Sequence, residues 1–158
     1  MTHLPVGGML PLERYRQTME DSPLVTVDVL FLDREKKRIL LGKRRNAPYA
    51  GEFYSFGSRM FKNEEFIDAA KRIAKEELGL NLRNEEFTYI GALNEINETS
   101  IFEGVNYHAV DIYFYCTIDT LNAVLDEQHS ETKWFDLDEP SLHPNVVTRI
   151  RGLQNVLS

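Results

Sequence analysis

Residues 57–80 read GSRMFKNEEFIDAAKRIAKEELGL, and this stretch decides the fold. Phe66, Ile67, Ala70, Ile73, Ala74 and Leu78 recur at three- and four-residue steps, which is one apolar helix face. Gly79 stands where a left-handed residue ends a helix, so a helix is predicted from about Asn63 to Leu78. Arg72 and Glu76 are one turn apart and can pair. Glu77 borders the apolar stripe. A carboxylate there is costly unless a cation neutralises it, and a divalent metal would do so.

Outward from this helix toward the N-terminus, Phe53 to Phe56 is a short aromatic strand running into Gly57. Before it, Leu24 to Leu32 is an apolar strand interrupted by Asp28, and Arg38 to Leu41 closes a hairpin with it. A basic exit, Gly42-Lys43-Arg44-Arg45-Asn46, follows the hairpin. Pro11 opens a short helix over residues 11–20, which Ser22-Pro23 ends. Residues 1–10, with Pro5, Gly7 and Gly8, read as loose.

Toward the C-terminus, Leu82 to Leu93 holds a strand, Asn94 to Gly104 is polar and loop-like, and Val105 to Asp119 is the longest strand. Asp126-Glu127-Gln128-His129-Ser130-Glu131 is a polar loop. Lys133 to Leu137 is a strand, and residues 144–157 form a terminal helix with Val146, Val147, Ile150 and Leu153 on one face. Strands with one helix between them and another at the end predict an α/β (α+β) class: a mixed sheet covered by helices.

At 158 residues, one domain over 1–158 is expected. A net charge of −7 argues against a nucleic-acid-binding surface, though a metal ion and a few arginines would still admit an anionic small substrate. The apolar runs are too short to span a membrane, and no signal-peptide layout stands at the N-terminus. Cys116 is the one cysteine, so no disulfide forms within the chain; a cytoplasmic protein with a buried thiol is expected.

The spacing of Glu64, Arg72, Glu76, Glu77, Gly79 and Leu80 resembles the Nudix box. Ser58 stands where the box has its first Gly, and Ile73 where it has a Glu after the Arg. The resemblance implies an α/β/α sandwich and a hydrolase. It implies magnesium, or manganese, held by hard oxygen ligands. Those ligands would be Glu77, Glu76 and the backbone carbonyl of Gly57.

The loop Asp126-Glu127-Gln128-His129, shortly before Trp134, narrows the match. It resembles the GDP-mannose mannosyl hydrolase branch of the Nudix superfamily, as do Ser22-Pro23-Leu24-Val25 with Asp28, the Leu40 to Arg44 run, and Arg59 with Lys62 and Glu64. That branch also lacks the Glu at the Ile73 position. By this resemblance Gln128 is a further metal ligand and His129 the general base. In that branch the N-terminal helix contributes to a homodimer and to nucleotide binding; residues 11–20 would do the same here, with Leu10 and Tyr15 at the corresponding positions and Tyr15 able to stack on a base, the alternative being a helix that caps its own domain. The branch has a His-Tyr pair where this chain has Tyr107-His108, so His108 is a substrate-binding candidate in the Tyr role.

Independent chemistry agrees. Arg44 and Arg59 can give forked hydrogen bonds to phosphate oxygens. Arg72 could do the same, but its expected role is to orient Glu76 or Glu77. A neutral histidine can take a proton from water. Asp28, in an apolar strand, invites a partner such as Arg44 or His129. The activity implied is hydrolysis of a nucleoside diphosphate-sugar such as GDP-mannose or GDP-glucose, by attack at the sugar carbon. The rivals are phosphoanhydride cleavage of a sugar nucleotide or ADP-ribose, and a non-catalytic module that only binds nucleotide.

Overall fold

The computed structural model describes residues 4–118 and 131–158. The strand β1 (Leu24–Asp33) lies at the centre of a seven-stranded mixed sheet. It pairs antiparallel with β2 (Arg38–Lys43) and with β4 (Phe56–Arg59), and parallel with β6 (Tyr107–Thr117). β3 (Phe53–Tyr54) and β7 (Thr132–Asp136) both pair with β2, and β5 (Thr88–Asn97) lies beyond β6.

β1 is buried along nearly its whole length because both of its faces are covered. Val27, Val29 and Phe31 pack with Ala70, Ile73 and Leu78 of α2 (Phe66–Leu78). Leu30 and Leu32 face the other way and pack with Val146, Ile150 and Leu153 of α3 (Pro144–Leu157). Strand alternation thus splits one sequence run between two cores, as a helix–sheet–helix sandwich requires. The shorter α1 (Leu12–Asp21) covers a third cluster, with Met19 against Leu24, Val105 and Ala109. Among the described residues no helix is long and apolar enough to cross a membrane.

Several boundaries differ from the sequence reading. α2 begins at Phe66 rather than Asn63, because Asn63 takes a left-handed φ of 68° that no helix admits. Gly79 ends α2 as expected, with φ 68° and its N–H donated to Lys75. Residues 53–59 form two strands broken at Ser55. The strand expected from Leu82 starts at Thr88, since Asn84–Glu86 make a 3-10 turn.

β5 also continues to Asn97 through a stretch read as loop. It pairs with β6 alone at this edge, so its outward polar residues stay wet while the backbone stays paired. The lead-in to α1 is tied down as well: Gly7 donates its N–H to the Lys62 carbonyl at 2.8 Å, and the Asn63 amide reaches Pro5.

Ile73 is 1% exposed at the centre of the α2 core. Ile73→Ala is expected to cost about 2–5 kcal/mol of stability, read as a lower urea midpoint at unchanged slope. An unchanged midpoint would remove α2 packing from the account of the fold.

Candidate active site

A cleft of about 510 Å³ opens where the ends of β1, β4 and β5 meet α1 and the loop after β2. Arg44, Gly57, Arg59 and Glu77 line it, with Asp28 and Tyr15. Arg44 closes its own loop: its backbone pairs with Glu52 and Gly51, and its Nε donates to the Pro48 carbonyl at 2.7 Å. That leaves a cation fixed at the cleft wall. Arg59 leaves β4 with its guanidinium over the Tyr15 ring at 5.7 Å. Gly57 is needed for space, because a Cβ there would fall on the Asp28 carboxylate. Ser58 is accommodated in extended strand opposite Val27.

Arg72 does not line the cleft, and its hydrogen bonds run to the turn before α2. Its guanidinium closes on Glu64 through two bonds of 2.8 and 3.0 Å, and it also donates to Ser58 Oγ and to the Arg59 carbonyl. It lies 3.8 Å from the centre of the Phe61 ring. Glu76 stands 3.6 Å from Arg72, but its side chain is 61% exposed, so that contact adds little. Burial alone would raise the Glu64 carboxyl. Hydrogen bonds from Arg72 and the Phe61 N–H, with the charges of Arg72 and Arg59, outweigh it and hold the carboxyl below the usual range. Arg72 therefore pins the end of β4, which carries Gly57 and Arg59, to the turn that leads into α2.

Beneath the cleft lies a cluster that the sequence reading missed. Arg149 of α3 is fully buried and faces three carboxylates on three strands. It reaches Asp111 at 2.9 and 3.2 Å, pairs with Glu95, and stands 3.7 Å from Asp28. It also donates to the Tyr54 hydroxyl at 2.9 Å, and that hydroxyl donates to Glu95 at 3.0 Å. Ser55 donates to Asp28, and Thr26 to Asp111.

Burial pushes the Asp111 carboxyl well up, and the adjacent Asp28, by charge and hydrogen bond, pushes it further; the Thr26 hydroxyl offsets part of this. One cation stands against three acids, and Asp111, the most enclosed of them, carries the upward shift. Asp28 thus has Ser55 and Arg149 as partners where Arg44 or His129 was expected, and His129 lies outside the described residues. One signal for this was in the sequence. Arg149 lies between Val146 and Leu153 in the apolar stripe of its helix, where a charge needs buried partners.

The structure brings Asp28, Arg44, Gly57, Arg59, Glu77 and Tyr15 to one cleft. Leu10 does not line it, although its neighbour Met9 does. His108 does not either. Strand alternation puts Tyr107 on the cleft side of β6 and turns His108 to the opposite face. Gln128 and His129 lie outside the described residues. A hard cation fits what is present, since the Gly57 carbonyl and the Glu77 carboxylate are oxygen donors beside the same cavity. Among the described residues no three His, Cys, Asp or Glu side chains are grouped to hold a metal. Glu76, turned outward and beside Arg72, does not line the cleft.

A family model described as the NUDIX domain matches residues 22–155. The chain is 36% identical over 138 residues to the low-salt glycan biosynthesis protein Agl8 of Haloferax volcanii, covering 87% of this chain and 86% of that protein. Among solved structures, it superposes on the MutT NUDIX hydrolase of Burkholderia pseudomallei with a TM-score of 0.64 at 22% identity, over 84% of this chain and 99% of that one. Shewanella oneidensis NrtR gives a TM-score of 0.66 at 16% identity, over 85% of this chain and 63% of that longer one. At such identities the superpositions speak for the fold alone.

Removing Arg149 tests the buried cluster. Arg149→Met leaves three carboxylates without their cation and is expected to cost about 3–5 kcal/mol of stability at neutral pH. A carboxyl whose folded pKa is raised contributes fully below its unfolded value and less as pH rises. Without Arg149 the already raised Asp111 carboxyl loses its cation, so the deficit should shrink toward pH ~5. Denaturant titrations of both proteins at the two pH values check this; a deficit independent of pH would mean the loss is packing alone.

Proposed function

The chain belongs to the Nudix family of hydrolases, and on that premise we propose that it is a magnesium-dependent hydrolase of a nucleoside diphosphate-sugar. GDP-mannose or GDP-glucose would be cleaved at the sugar carbon to GDP and free sugar. One observation carries this reading: a single cleft gathers two arginines, the Gly57–Glu77 oxygen pair and the aromatic ring of Tyr15. Phosphates, cation and base each have a matching surface there. The glycan-biosynthesis relative supports sugar chemistry in the same family.

In this reading Arg44 and Arg59 hold the diphosphate by forked hydrogen bonds. Gly57, Glu77 and Gln128 would hold the metal. When bound, magnesium neutralises charge on the departing diphosphate. His129 takes the proton of the attacking water, whose oxygen bonds to the anomeric carbon as the carbon–oxygen bond to the β-phosphate breaks. Asp28, braced by Ser55 and Arg149, is held beside Gly57. Tyr15 stacks on the base. The exposed Met9 and Leu12 at the start of α1 support a homodimer through that helix as part of the same reading. The buried lone thiol of Cys116 supports a cytoplasmic setting.

Hydrolysis of GDP-mannose with magnesium in oxygen-18 water is the deciding experiment. The label is expected in the sugar; label in a phosphate would move the protein to the diphosphatases. His129→Gln should lower kcat about 10²- to 10⁴-fold with little change in binding. Glu77→Gln should shift the magnesium titration to higher concentration, and an unmoved titration would remove Glu77 from the ligand set.

A further inference from the structure

The floor of the cleft carries an acceptor that the proposed chemistry does not use. Glu95 lines the cleft and is 6% exposed. Its two protein partners, the Tyr54 hydroxyl and Arg149, both lie on Oε1. Among the described residues Oε2 accepts no hydrogen bond. Because Glu95 lines the cleft, this oxygen is available to a donor arriving with a ligand.

The surroundings say what kind of donor it is. Asp28 also lines the cleft, and Asp111 lies directly behind it in the same cluster. Three acids against one guanidinium repel phosphate, so the diphosphate belongs with Arg44 and Arg59 instead. A base needs a flat apolar wall, which Tyr15 and Met9 supply elsewhere in the cleft. What remains is a neutral group rich in hydroxyl donors. Arg149 and Tyr54 fix the Glu95 carboxylate in one orientation, which is the preorganisation that discrimination between hydroxyl positions requires.

We propose that Glu95, positioned by Arg149 and Tyr54, accepts hydrogen bonds from hydroxyls of the glycosyl group and so determines which sugar the cleft takes. This rests on the nucleoside diphosphate-sugar reading above. Glu95 is a specificity residue that touches the sugar; Arg149 and Tyr54 are positioning residues that act through it. Vicinal hydroxyls occur on the transferred sugar and also on the nucleoside ribose, and the test separates the two.

Binding of GDP-mannose, GDP and 2′-deoxy-GDP to the wild-type protein and to Glu95→Gln is measured by calorimetry, with KM and kcat for GDP-mannose alongside. Loss of a hydrogen bond to a charged acceptor predicts GDP-mannose binding weakened about 10- to 100-fold and KM raised to match, with GDP unchanged. Equal weakening of GDP-mannose and GDP, absent for 2′-deoxy-GDP, would place Glu95 on the ribose and overturn the proposal. No change for any ligand, or no wild-type preference for GDP-mannose over GDP, would overturn it too. Thermal melting confirms that the variant folds; if it does not, Glu95→Asp keeps the charge, withdraws the oxygen and should give the same ligand pattern. Failure of the hydrolysis reading is distinct: wild-type protein would bind GDP-mannose without turnover, and the binding comparison would still decide the role of Glu95.

Discussion

The guanidinium of Arg149 stands with no solvent exposure against carboxylates on β1, β5 and β6, and against the Tyr54 hydroxyl on β3. A buried charge is tolerated only when its partners are complete, so these elements must all arrive for any of them to be stable there. The apolar packing of α3 on Leu30 and Leu32 supplies the attraction. The ionic cluster supplies the register, because a one-residue slip of any strand would turn its acid to the other face.

This constraint also divides the cleft chemically. The floor is over-supplied with acid, while the cations that face the opening, Arg44 and Arg59, come from loop and strand ends outside the cluster. On the far face of the sheet, Arg72 performs a comparable service for the turn between β4 and α2, tying Glu64, Ser58 and the Arg59 carbonyl into one unit. The charged residues of the box therefore include a structural pair, Arg72 of α2 with Glu64 of the turn before it, and Glu77 at the cleft.

What could be read from sequence was local. The apolar steps of α2, its Gly79 terminus and the buried run of β1 are patterns within a few residues, set by helix and strand periodicity. Arg44, Arg59, Gly57 and Glu77 were legible because they lie close to those patterns. β5 beyond Leu93 was not, since its polar residues resemble a loop until the β6 backbone is there to pair with them.

The sequence by itself determined the helix that carries the box charges, the strands around it, the mixed helix-and-sheet class and the oxygen-rich character of the cleft, because each follows from spacing along the chain. Only the tertiary structure decided that Asp28 answers to Arg149, that Arg72 serves a turn, that Tyr107 rather than His108 faces the cleft, and that Glu95 lies on its floor. Arg149 is 38 residues from Asp111 and 95 from Tyr54. No local period relates positions so far apart, so their pairing exists only once the sheet has brought them together.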